Sequence, residues 1–416
     1  MVPLIALLQS AILHELCPKP KKIATVRLPR RQPLLRAMRP RDPEEDSRAA
    51  TPLELLYDLC FVVAIAQAAS GFHHAISAGH GTEGLLAFFW SFFSIWWAWV
   101  CFAWFASAFD TDDTLYRIKV FVQMIGVLIL AAGIPRIFEH QDFRLLTLGW
   151  TIMRLGLIAQ WIRAAIANPN QRKTALRFVF TILALQTAWL SLLLLPPEQW
   201  IWGGIPLTVL ELVAPGWAER AGKSSWHPEH LAERYGLLTI IVIGESVLAA
   251  TLAIQAAVDQ NQISAQLFMV ILGAPTILFA MWWFYFSRPA HAILTSNPAA
   301  FLWGYGHSII LGSAAAVGVG LAVMSDYETG EAQLSQFGAG QALAIPVALF
   351  IASTWAFHLR RPGPNAKVEA VQVMLACAFI LAAPLTSYAV VGIALALILI
   401  TFAMSRCSIT AQPSEN

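Results

Sequence analysis

The sequence predicts an all-α protein that crosses a membrane many times, and three observations carry that prediction. Of 416 residues, 57% are hydrophobic and only 12% charged, with a mean hydropathy of +0.61, well outside the composition of soluble domains. The apolar residues gather into runs matching the roughly 17 to 25 residues that a spanning helix needs. Lysine and arginine then fall in every second connection, as they do in loops retained in the cytoplasm. A net charge of +2, concentrated at one end of the chain, excludes nucleic-acid binding as the main activity. Cysteines at 17, 60, 101, 377 and 407 form no CxxC pair, so no disulfide framework is expected and Cys60, Cys101 and Cys377 read as small buried hydrophobes.

Residues 1–16 are apolar but lack the basic start and small-residue cleavage site of a signal peptide. An interfacial helix and a misassigned start both fit them. Ten Lys/Arg follow between Lys19 and Arg48, interspersed with proline. With little to bury, residues 1–50 are expected to form a disordered cytoplasmic segment attracted to anionic lipid. Twelve apolar runs come next, at 52–72, 84–108, 117–137, 144–167, 176–196, 200–217, 231–254, 265–288, 299–324, 339–359, 367–384 and 386–404. The sixth is interrupted by Gly203-Gly204 and Pro206, and the last two are divided only at Pro384 to Tyr388, so any of these three is a candidate broken or re-entrant segment.

With the N-terminus inside, the inner loops hold Arg117 and Lys119, then Arg163, Arg172, Lys173 and Arg177, then Arg220 and Lys223, Arg288, and Arg360, Arg361 and Lys367, with Arg406 in the tail 406–416. The outer loops hold only Arg136 and Arg144. Both termini are therefore expected in the cytoplasm. A Trp pair recurs in FFSIWWAW (92–99) and LFAMWWFY (278–285), and ELLYDLCFV (54–62) has a looser echo in ERYGLLTII (233–241). The offset is six helices, which makes the halves 51–217 and 218–405 either two parallel six-helix repeats, as in several transporter folds, or a coincidence of tryptophan-rich sequence.

Three segments spend polar residues where apolar ones would cost less. They are the TPLELLYD start of the first helix, FASAFDTDDTLYR between the second and third, and HPEHLAERYGLLTIIVIGES entering the seventh. Together they resemble the bacterial low temperature requirement protein A family, whose members carry E-L-x-[FY]-D-L-x-F-V, a tryptophan-rich helix ending in D-x-D-D with an arginine soon after, and H-x-x-E-R-[FY]-G-L…G-E-S. The resemblance implies a polytopic bacterial membrane protein, here placed in the inner (plasma) membrane. Its family name describes a growth phenotype rather than a reaction, and the basic extension has no counterpart in it.

Read physically, Glu54 fits a capping box with Thr51 and Pro52 at a helix start. Asp58 lies a turn deeper, where a charge in hydrocarbon needs a partner. Arg234 and Arg154 are the candidates, in a network that would include Glu54 and Glu233. Glu245, twelve residues past Glu233 and thus about 18 Å deeper, sits near the midplane; it is either a titrating carboxylate of a proton-coupled carrier or a partner of Arg154. Asp110, Asp112 and Asp113 read as a solvated cap, with Asp113 paired to Arg117 at i, i+4, in preference to a metal site. His227, His230 and Glu233 have metal-compatible spacing, but Pro228 leaves His227 outside the helix, and His73, His74 and His80 crowd an outer loop without a supporting motif. His307 and His358 read as core histidines. No nucleophile elbow, Walker A, dinucleotide fingerprint or HExxH occurs, so neither an enzyme nor a cofactor is expected. Two functions follow: a proton- or cation-linked secondary transporter of an unknown small solute or ion, with only the lipid bilayer as a defined partner, or a non-transporting membrane protein with a structural, sensing or stress-adaptation role. The sequence leaves the oligomeric state open.

Overall fold

A computed structural model describes residues 34–42, 45, 48–196, 199–259 and 264–409. Among them the chain forms twelve α-helices and no strand. These are α1 (Pro52–Ser77), α2 (Gly81–Phe109), α3 (Thr114–His140), α4 (Arg144–Ala167), α5 (Arg172–Leu192), α6 (Trp200–Glu219), α7 (Pro228–Asp259), α8 (Ala265–Tyr285), α9 (Asn297–Thr329), α10 (Gln336–Ser353), α11 (Ala366–Ala382) and α12 (Ala389–Ile409). Eleven of the described helices are long and apolar enough to span a membrane, and the apolar part of α12, Ala389–Ser405, is shorter. The expected interruption of the sixth run is absent: α6 is continuous through Pro206 and Pro215, as prolines are tolerated in membrane helices. The expected break before α12 is present as a 3₁₀ turn at Ala383–Leu385. A π-helical turn, Thr354–Leu359, ends α10.

The sequence of packing explains which helices lie inside. α9 touches α1, α2, α7, α8 and α10 and is 78% buried over its apolar window, against 22% for α5 and 17% for α6. Small residues allow the closest approaches. A Cβ at Gly149 of α4 would overlap the backbone of Gly126 and Leu130 on α3, one at Gly133 would lie 2.6 Å from the Leu146 nitrogen, and one at Gly320 of α9 would lie 2.5 Å from the oxygen of Ala342 on α10. The neighbour relations α1–α3 and α3–α4 recur as α7–α9 and α9–α10. The two Trp pairs, however, occupy different surroundings: Trp96 and Trp97 are 2% and 1% exposed, Trp282 and Trp283 41% and 36%.

The loops α2–α3, α4–α5, α6–α7, α8–α9 and α10–α11 share one end of the bundle, here called the basic face. The described residues between Leu34 and Ala50 lie along it and are anchored, contrary to the expected disorder of this part of the extension. The Arg41 nitrogen donates to the Ala108 carbonyl at 2.9 Å, Asn168 Nδ2 donates to the Met38 carbonyl at 2.6 Å, and Met38 is fully buried. Arg48 donates to the carbonyls of Ala106 and Ser107 at the end of α2. Its arginines find unpaired helix-end carbonyls and its one buried apolar side chain finds the bundle, two terms that composition alone does not reveal. Residues 1–33 fall outside the described residues.

Candidate functional site

Thr51 caps α1 through a complete capping box: its hydroxyl accepts from the Glu54 nitrogen and Glu54 Oε2 accepts from the Thr51 nitrogen at 2.8 Å. One turn on, Asp58 faces Arg234 of α7. Arg234 grips it with two parallel bonds, Nε to Oδ2 at 3.1 Å and Nη2 to Oδ1 at 2.5 Å, and gives Nη1 to Glu54 Oε1 at 2.9 Å. Such a fork is the strongest geometry a guanidinium offers a carboxylate. Trp99 of α2 donates Nε1 to Asp58 Oδ1 at 2.7 Å, and His230 Nε2 lies 3.2 Å from Glu54 Oε1. Glu54, Asp58, His230 and Arg234 are all fully buried. Of the two candidate partners, then, Arg234 answers both acids and Arg154 does not take part. Glu233 lies outside this cluster and accepts from the Ala50 nitrogen at 3.0 Å.

The acidic cluster differs from the expected pairing. Arg117 holds Asp112 rather than Asp113, with Nε to Oδ1 at 2.7 Å. Asp113 instead caps α3, accepting from the Tyr116 nitrogen at 2.8 Å, and meets Arg163 of α4. The i, i+4 pairing fails because Asp113 is the cap residue, its carboxylate turned to free backbone N–H groups, while Asp112 at positive φ turns outward. Burial opposes ionisation of Asp113, but Arg163 and the N–H groups of Arg36 and Tyr116 hold its carboxyl below the usual range. Burial, followed by the negative charge of Glu54, pushes Asp110 up to about 6. Because the folded carboxyl takes its proton more readily than the unfolded one, its ionisation destabilises the fold increasingly as pH rises from about 4 to about 6, and in full above that. Asp110→Asn is therefore expected to raise the thermal midpoint at pH 7 and leave it unchanged below pH 4, as a pH series of melting curves would record.

The α1 acids, the tryptophan of α2, the D-x-D-D turn and the H-x-x-E-R-Y-G start of α7 thus converge on the basic side of one core. A family model described as bacterial low temperature requirement A protein matches residues 49–404. The chain belongs to that family. It is also similar to an uncharacterized protein of Rhizobium meliloti, 27% identical over 322 residues that cover 69% of this chain and 72% of the relative. The three polar segments that carry the sequence resemblance meet at the α1–α2–α7 cluster, and a second buried network lies apart from them.

Arg154 of α4 pairs with Glu211 of α6, a residue the sequence reading passed over. Nη2 donates to Glu211 Oε1 at 2.5 Å and Nη1 to Gln186 Oε1 of α5 at 3.1 Å. Trp189 donates to Oε1 at 3.0 Å and Trp97 to Oε2 at 2.9 Å, so both carboxylate oxygens are occupied. The guanidinium lies over Trp150, 4.1 Å from the ring centroid. Glu211 is eleven residues from the start of α6 and eight from its end, or about 16 and 12 Å. The signal that could have found it was the lone carboxylate inside the sixth apolar run, at a depth matching Arg154, the arginine nearest the middle of the fourth.

Two cavities flank the side chains around this pair: Trp150 and Trp189 line the first, Trp97 and Glu211 the second, and Arg154 lines neither. A vestibule of about 630 Å³ opens between α1–α6 on the face opposite the basic one, from Glu83 and Glu139 at its mouth down to Ser94, Trp150 and Trp189. A smaller space of about 60 Å³ runs from Trp97 and Glu211 toward Glu219 and Ser224 at the α6–α7 loop. Trp189 lines the first cavity and Glu211 the second, so the Arg154–Glu211 pair with its indoles separates them. Glu54, Asp58 and Arg234 line neither cavity, and nor does Glu245. Glu245 is half-buried, with no hydrogen-bond or ion-pair partner among the described residues, and its expected alternative partner Arg154 is taken by Glu211. His307 is satisfied by the Tyr285 hydroxyl at 2.9 Å and the Trp303 carbonyl at 2.7 Å, and His358 accepts from Trp303.

Proposed function

We propose that this protein is a secondary transporter of a small solute in the bacterial inner membrane, its basic face and both termini cytoplasmic, rather than an enzyme. The observation that carries the reading is the position of Arg154–Glu211: a desolvated ion pair at mid-depth, between cavities that approach it from opposite faces. A protein with only a structural need for charge has no use for a vestibule of this size above the pair. Intramembrane charges beside water-accessible space mark solute and ion paths. The path lies in the first half of the chain, and Glu211 takes the central role that the sequence reading gave to Glu245. Glu54, Asp58 and Arg234 serve as the clamp between α1 and α7 against which such motions occur. Single cysteines in a cysteine-free background test this. Ser94→Cys is expected to react with a membrane-impermeant maleimide only from the outer face, and Ala214→Cys, one turn from Glu211, only from the cytoplasmic face. Modification of both from one face, or of neither, contradicts the reading.

A further inference from the structure

We infer that the vestibule binds organic cations with an apolar body, and that such a cation competes with Arg154 for Trp150 and Glu211; the inference names the substrate class of the transport path proposed above. Six aromatic side chains line the cavity, Trp90, Phe138, Phe143, Trp150, Trp189 and Trp200. Their ring faces carry the negative lobe of the quadrupole, which attracts a cation. Among the described residues no lysine or arginine lines it, while Glu83 and Glu139 do, beside the imidazoles of His74 and His80. The arginines of this face, Arg136 and Arg144, are drawn to Asp142 at 3.9 and 4.0 Å, outside the lining.

The occupant's chemistry is displayed at the floor. There the protein's own guanidinium rests on the Trp150 ring, with its charge met by Glu211. An aromatic face, a carboxylate behind it and an indole N–H fixing that carboxylate make a receptor for a weakly hydrated cation, at present filled from within. An inorganic ion does not suit the space: about 630 Å³ with aromatic walls matches a drug-sized molecule, and among the described residues no three metal-ligating side chains cluster. When a substrate cation arrives from the vestibule, Arg154 retains Gln186 as an acceptor, so the exchange frees Glu211 without stranding the guanidinium.

Equilibrium binding of radiolabelled tetraphenylphosphonium to the full-length protein in nanodiscs tests this, with empty nanodiscs subtracted. Saturable binding is expected, displaced by tetrapentylammonium and not by an aromatic sulfonate of similar size. Trp150→Ala is expected to weaken it about tenfold and Trp150→Phe, which keeps a ring face, by less than about threefold. Glu83→Gln with Glu139→Gln is expected to weaken binding at low salt and much less at high salt. Arg154→Gln is expected to strengthen it, the opposite of what a purely structural role predicts. Equal displacement by the sulfonate, insensitivity to Trp150→Ala, or a vestibule filled by co-purifying phospholipid with no saturable cation binding overturns the inference. If those results appear while Ser94→Cys and Ala214→Cys still react from opposite faces, the cation class falls and the transport reading stands.

Discussion

Replacing Arg234 with methionine is expected to destabilise the protein by about 3–5 kcal/mol, because it leaves two carboxylates buried without a countercharge. Glu54 and Asp58 are fully buried, and Arg234 supplies three of the bonds they accept. Water cannot substitute there without opening the contact between α1 and α7. The triple variant Glu54→Gln, Asp58→Asn, Arg234→Met is expected to recover most of the loss, since a neutral cluster pays no desolvation penalty. Thermal midpoints of the purified variants in detergent decide the matter. A single variant that melts like the native protein would show that this network does not join the two halves of the chain.

The second network is expected to behave differently. Arg154→Met strands the Glu211 carboxylate and is expected to cost about 3 kcal/mol, at the lower end of the range for broken buried pairs, because Glu211 borders a space of about 60 Å³ that can admit water. Glu211→Gln keeps one acceptor oxygen, which can serve Arg154 and Trp189, but turns its amide NH2 toward the Trp97 N–H; it is expected to cost about 1.5–3 kcal/mol, the worth of a hydrogen bond to a charged group. A double-mutant cycle should give a coupling of about 2 kcal/mol between them. The functional outcomes are expected to separate more sharply than the stabilities. Solute movement is lost in Glu211→Gln although the protein folds, whereas the neutralised α1–α7 cluster retains it.

The helices themselves were legible in the sequence because a bilayer imposes a length and an apolarity on every span. The loop arginines mark the basic face for the same kind of reason. That Asp58 needs a buried arginine was also legible, and Arg234 was one of the two candidates for it, Arg154 being the other. Glu211 was not legible, because α6 carries none of the three polar segments and shows only a single acid in a proline-interrupted apolar run. Glu245 could be placed by depth alone: distance along a helix does not say which face a side chain presents, which is set by packing against neighbours, and α7 leaves Glu245 half-buried and away from both cavities. The anchoring of the described residues around Met38, Arg41 and Arg48 was hidden for a related reason. Composition shows what a segment cannot bury, and not which helix-end carbonyls await its arginines, as those of Ala106 and Ser107 await Arg48.

In the transporter proposed above, the Arg154–Glu211 pair is reached from both sides of the membrane in turn. Leu185 lines the smaller cavity one turn of α5 away from Trp189 on the floor of the vestibule. The most direct measurement is the modification of a single Leu185→Cys by a membrane-impermeant maleimide in right-side-out and in inverted vesicles. A transporter that works through this pair exposes position 185 to both faces, so modification is expected in both preparations. Modification from one face alone, or from neither, would contradict the account.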